Sequence, residues 1–340
     1  MLKDSKYLVA YVIPLITICC LYSTGWLCYA TLIVIFVFIP LMEPLFPLSA
    51  DNLESSKIDA YKANKFFDWM LYLNVPIIYL IIVLYLLRLS SVDYSYTDRI
   101  GLMLSVGIMM GTGINVAHEL GHKKEWYKKL LAKSLLLPCQ YLHFTIEHNH
   151  GHHKFVATDH DPASARKNEV VYFFWIRSMI FSYLSAWKIE ATRLDRQGQG
   201  RWTLKNQMIQ FLFTQVLLIF LILSLFGMNI TLYYLGSALV SVLLLETINY
   251  IEHYALRREK KANGKYERGM PKNSWNSDHQ LGRILLYELT RHSDHHFLAN
   301  KKYQLLDHHD EAKQLPFGYP TSMLLSLCPP IWFKIMNSRI

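Results

Sequence analysis

The chain has 340 residues, of which 52% are hydrophobic, 14% aromatic and only 18% charged. Ordinary soluble domains carry about 25% charged residues, so the composition excludes a disordered chain and points away from a soluble one. Thirty-five Lys and Arg against 26 Asp and Glu give a net charge of +9, and the 15 histidines are a second anomaly.

The charges fall in blocks. Tyr7 to Met42 is uncharged for 36 residues. A single helix of that length would measure about 54 Å, too long for a ~30 Å hydrocarbon core. Ser23-Thr24-Gly25 interrupts the run, which predicts spans at 7–22 and 26–45, the first read as a retained anchor. After a polar stretch, Ser49 to Asp68, uncharged runs predict spans at 69–87 and 100–118. Asn206 to Leu245 is uncharged for 40 residues with a turn signal at Gly227-Met228-Asn229, which predicts spans at 206–226 and 229–248. The expected fold is an all-α membrane protein over 1–340. It has six transmembrane helices in three hairpins and a cytoplasmic helical cap built from segments 118–205 and 249–340. Within the cap, Trp126–Ile146 reads as interfacial, and Val170–Ala186, interrupted by Arg177, as interfacial or re-entrant.

Lys and Arg placement orients the chain. With the N-terminus in the cytoplasm, 33 of the 35 lie on that side and only Arg88 and Arg99 face the other. The basic surplus is therefore a record of topology and lipid-headgroup attraction, and nucleic acid is not an expected partner. The cysteines, Cys19, Cys20, Cys28, Cys139 and Cys328, form no C-x-x-C pair. They exclude a disulfide scaffold, a cysteine zinc site and a rubredoxin-type iron site within this chain.

None of the 15 histidines precedes residue 118. Three clusters have helical spacing: His118-Glu-Leu-Gly-His122, Glu147-His-Asn-His-Gly-His-His153 and Arg291-His-Ser-Asp-His-His296. Imidazoles at i and i+4 share a helix face and can reach one metal. A further histidine, His253, follows Glu252 at the end of the last expected span, while His143, His150, His160, His308 and His309 read as ordinary surface or capping residues. Eight clustered histidines exceed the needs of one metal, and two metals with four or five ligands each is the economical count. Imidazole suits zinc, copper, iron and nickel. His118–His122 also matches HExxH, so a zinc intramembrane protease with Glu119 as base is an alternative. It leaves six clustered histidines without a role. A metal transporter would carry histidines along its spans, and only the boundary residue His118 lies in one. In a two-metal reading, Glu119, Glu147, Glu252 and Asp294 would orient imidazoles by accepting their outer N–H bonds.

At these residues the sequence resembles the integral-membrane alkane 1-monooxygenases of the membrane fatty acid desaturase/hydroxylase superfamily. The likeness covers the three boxes, Val156-Ala-Thr158, Asp161-Pro-Ala-Ser-Ala-Arg166, Asn249-Tyr-Ile-Glu-His-Tyr254, Tyr303-Gln304, Leu315-Pro-Phe-Gly-Tyr319 and Pro329-Pro-Ile-Trp332. Asp159-His160, Ala255, Asn273 and Thr290 depart from the family pattern without removing an expected ligand.

The resemblance implies two non-haem irons held by nine histidines: 118, 122, 148, 152, 153, 253, 292, 295 and 296, with His279 the rival of His253. It implies terminal hydroxylation of a medium-chain alkane by dioxygen, with two electrons from rubredoxin and its reductase. Fatty acyl or methylaromatic hydroxylation or desaturation is the alternative within the superfamily. The expected setting is a bacterial-type inner membrane, with substrate drawn from the bilayer, the active site on the cytoplasmic side, and Lys123, Lys124, Lys128 and Lys129 available to dock an acidic carrier.

Overall fold

In a lipid core every backbone N–H and C=O must be satisfied within the spanning structure itself, so long uncharged runs become helices. The computed structural model describes residues 4–340 and is mostly helical. Among the described residues, four helical stretches are long and apolar enough to cross a membrane: Gly25–Leu45, Lys65–Ser91, Tyr96–Gly121 and Gln207–His253. A shorter apolar helix, Ser5–Leu21, covers the first expected span.

The 47-residue Gln207–His253 stretch would be about 70 Å long as one helix, more than twice the hydrocarbon thickness. It contains Gly227 at φ 77°, ψ 174°, a conformation open essentially only to glycine. The chain therefore breaks at the expected turn. Gly25–Leu45 is irregular: a π-turn at Val34–Phe38 sits just before Pro40. Proline has no N–H to give and its ring crowds the preceding turn, which widens the helix there.

The chain groups into two compact units. The first takes residues up to 37, then 66–145 and 186–245. Its helices approach closely where side chains are small: a Cβ on Gly107 would lie 2.6 Å from Val240 Cβ, on the Gln207–His253 helix. Buried hydroxyls add hydrogen bonds between segments, as from Ser237 to Met103 O (2.9 Å), Ser105 to Cys28 O (2.8 Å) and Tyr234 to Pro138 O (2.8 Å). Small residues and polar side chains are how helices associate in lipid, where burial of apolar area gives no drive.

The Trp126–Leu136 helix of this unit inverts the soluble pattern. Trp126 (75% exposed) and Leu130 (55%) face outward, while Lys128 is buried between Glu125 (2.9 Å) and Asp68 (3.6 Å). Lys123 is likewise buried, paired with Glu119 at 2.7 Å. Of the four lysines expected on a docking face, only Lys124 and Lys129 are exposed.

The second unit takes 38–65, 146–185 and 246–340. Its core is aromatic: Tyr250, Tyr254, Trp275 and Trp332 are buried, and the Trp275 indole donates to Tyr254 O at 2.9 Å. A short parallel pair joins Trp275–Asn276 to Lys313–Gln314. Arg177, expected as an interruption, is a clamp: it forks onto Glu169 (2.6 and 2.8 Å) and donates to Pro162 O and Ser164 O. It thereby fixes the loop that carries Asp161.

Candidate metal centre

Seven of the nine expected ligands lie in the second unit. Helix spacing alone would put His148 and His152 on one face. The backbone from His148 to His152 is instead a single π-helical turn. An i→i+5 turn holds more residues than an α-turn, so the residue that returns to the face of His148 is His153. His148 Nε2 and His153 Nε2 are 3.0 Å apart, and His153 Nε2 is 3.2 Å from His295 Nε2. His152 turns to a different group.

That group is His152, His253, His292 and His296, whose nearest nitrogens all lie within 4.8 Å of one another. The His292–Phe297 helix presents His292 and His296 one turn apart. Successive Nε2 atoms are 3.2 Å (His152–His296), 2.9 Å (His296–His292) and 3.1 Å (His292–His253) apart. Two imidazole nitrogens each about 2.1 Å from a common metal at a right angle stand about 3.0 Å apart. Burial holds His296 well below the ordinary imidazole value, with His153, His292, His152 and His253 adding to the effect, so its lone pair is free to coordinate. Four converging imidazoles fit a transition metal such as iron or zinc. His279, the rival of His253, lies apart, its Nδ1 at 3.0 Å from the Ser277 hydroxyl.

Outer contacts orient the rings. His152 Nδ1 is 2.9 Å from Asp161 Oδ2, which also accepts the Ser164 hydroxyl at 2.5 Å. Burial opposes ionisation of Asp161, but the charge and hydrogen bond of His152 and the Ser164 bond outweigh it and hold the carboxyl below its usual range. Asp161 belongs to a motif quoted from the sequence but was not among the expected site residues. Its position nine residues beyond His152 gives no helical signal, and only the folded loop brings it back. His253 Nδ1 meets the Ser274 hydroxyl at 3.5 Å.

Each of the four carboxylates expected to orient imidazoles has a defined contact. Glu252 reaches His292 at Nε2 (3.2 Å), the inner nitrogen, not the outer one. Glu147 is buried, with its Oε1 3.4 Å from the Ser185 hydroxyl, and burial together with the Asp161 and Glu246 charges pushes its carboxyl well above the usual range. Asp294 accepts from His309 Nε2 (2.8 Å), Lys301 Nζ (2.7 Å) and the Asp307 N–H (2.8 Å). Glu119 is the ion-pair partner of Lys123 described above, which ties up the carboxylate a zinc protease would use as base.

The remaining two expected ligands, His118 and His122, belong to the first unit. They stand one turn apart near the end of the Tyr96–Gly121 helix, ring centroids 5.1 Å apart. His150 is exposed. His143 is buried against Tyr141, and burial lowers its pKa to about 4.

The fatty acid desaturase family matches residues 99–322. Alkane 1-monooxygenase of Acinetobacter baylyi is 38% identical over 308 residues, 91% of this chain and 76% of its own length. Alkane 1-monooxygenase of Pseudomonas putida is 35% identical over 330 residues, 96% of this chain and 82% of its own. At greater distance, the hydroxylase component of the xylene/toluene monooxygenase of Pseudomonas putida is 29% identical over 340 residues, 96% of this chain and 86% of its own. The chain belongs to the fatty acid desaturase family, in its alkane 1-monooxygenase branch.

Proposed function

We propose that this enzyme hydroxylates the terminal carbon of medium-chain alkanes, consuming dioxygen, two electrons and two protons and releasing a 1-alkanol and water. The observation that carries the reading is the convergence of His152, His253, His292 and His296, in a chain more than a third identical to alkane 1-monooxygenases. One iron is assigned to those four histidines. A second is assigned to His148, His153 and His295; His118 and His122 complete the nine expected ligands. When bound, the irons supply the redox chemistry with dioxygen. The chain's own residues set the conditions: Asp161 and Ser164 hold His152 in orientation, burial keeps His296 neutral, and the apolar helices deliver a substrate dissolved in the bilayer. Dry apolar surroundings also protect an oxidising site from side reactions.

The electron donor in this reading is rubredoxin with its reductase, in keeping with five cysteines and no C-x-x-C pair. The chain works as one catalytic domain with six spans in three hairpins, the break at Gly227 separating the fifth and sixth. The one-sided Lys and Arg distribution supports an inner-membrane protein with a cytoplasmic active site.

Membranes containing the protein, rubredoxin, reductase and NADH should convert octane to 1-octanol. The distant xylene/toluene relative favours methylaromatics as the second reading. Turnover of xylene or a fatty acid with no turnover of any alkane would replace the first reading by that one.

A further inference from the structure

Glu252 touches the four-histidine group at one member, His292. Its Oε2 lies 3.2 Å from His292 Nε2, the atom that also stands 3.1 Å from His253 Nε2 and 2.9 Å from His296 Nε2. A ring nitrogen whose lone pair is directed at a metal has no proton to offer a carboxylate, so this contact is not an orienting hydrogen bond of the usual outer kind. The other carboxylate oxygen accepts the Tyr319 hydroxyl at 2.8 Å. Glu252 and Tyr319 are each 1% exposed.

Charge makes the same point. Buried carboxylates are ordinarily paired. Glu119 has Lys123, Glu288 has Arg283 and Asp294 has Lys301, whereas the buried Glu43 and Glu147 have hydroxyl contacts instead. Among the described residues, no lysine or arginine pairs with Glu252; the cation-capable group beside it is His292. A metal dication held by four imidazoles attracts an anion. Carboxylate and metal would each offset the charge of the other.

We propose that Glu252 supplies an oxygen ligand to the metal held by His152, His253, His292 and His296, entering from the His292 side, and that Tyr319 is the positioning residue that aims it. The inference rests on the metal reading above. Tyr319 opens the Tyr319–Ser326 helix, and the preceding Gly318 lies so close to Glu43 that a Cβ there would overlap the Glu43 carboxylate. The Tyr319 hydroxyl thus comes from a seated helix end, not from a mobile loop.

The test is iron binding by the purified full-length protein, read as iron per chain and as affinity in chelator competition, without turnover. Wild type should bind two irons. E252Q should keep about one, its second binding at least 100-fold weaker, and X-ray absorption at the iron edge should show loss of an oxygen scatterer. Y319F should keep both irons with one weakened about tenfold, the size of effect seen when a ligand loses its hydrogen-bonded support. E252Q binding two irons with wild-type affinity would overturn the proposal while leaving the metal reading intact. Wild type binding no metal would overturn both. Should E252Q fail to fold, Y319F decides, and unchanged affinity in it would overturn the assignment.

Discussion

Asp161 and His152 are joined through Oδ2 and Nδ1 at 2.9 Å, both out of contact with water. This fixes which ring nitrogen carries the proton and leaves Nε2 for the metal group. Asp161→Asn keeps the size but can offer the ring an N–H in place of an acceptor. Metal affinity or activity should fall by about 10–100-fold, measured by chelator competition on protein that still elutes as folded.

His152→Ala and His295→Ala each remove a member of one histidine group and should abolish turnover and lower iron content. His150→Ala, on an exposed position two residues from His152, should leave both within error of wild type. Retained activity in His152→Ala would refute the ligand assignment.

Gly107 marks a close crossing of two helices, where an added Cβ would meet Val240 at 2.6 Å and the Ser237 carbonyl at 2.9 Å. Gly107→Val should therefore destabilise by about 1–3 kcal/mol, the usual cost of overpacking. A lowered thermal midpoint in detergent checks it, and an unchanged midpoint would show that the helices part easily.

His143 gives stability a defined acid dependence. Its folded pKa, about 4, is depressed by burial from an ordinary value near 6.5. The unfolded chain therefore binds the proton first, and stability present above pH 6.5 is lost progressively as pH falls toward 4. The amount is about 3 kcal/mol by linkage. His143→Gln should lose less stability over that window than wild type, measured by chemical unfolding at each pH.

Much of this was legible in the sequence because it is periodic or local. The uncharged runs gave the helices, and Gly227 stands where the turn signal was. The pair His292 and His296 follows ordinary α spacing and is found in one group. Long-range closures left no such mark. Asp161 returns to His152 through a loop turned at Ala157, φ 58°, and fastened by the Ser164 hydroxyl on the Ala157 N–H. Tyr319 meets Glu252 across 67 residues. The lysines misled for a different reason. In a soluble helix Lys128 would be the exposed side and Trp126 the buried one, but a lipid-facing surface reverses that preference, and Lys128 is buried in ion pairs.

The π-turn at His148–His152 makes chain length, as well as composition, a determinant of the site. It acts as a one-residue insertion carried inside a helix. Regularising this turn to α spacing at constant length would rotate everything after it by about 100°. His152 would then take the place of His153 on the face of His148, and a donor of one group would be dealt to the other. Deleting one residue among 149–151 removes the inserted residue itself, so His153, then four residues after His148, keeps its face; single-residue insertions in this turn should be tolerated less well than single-residue deletions.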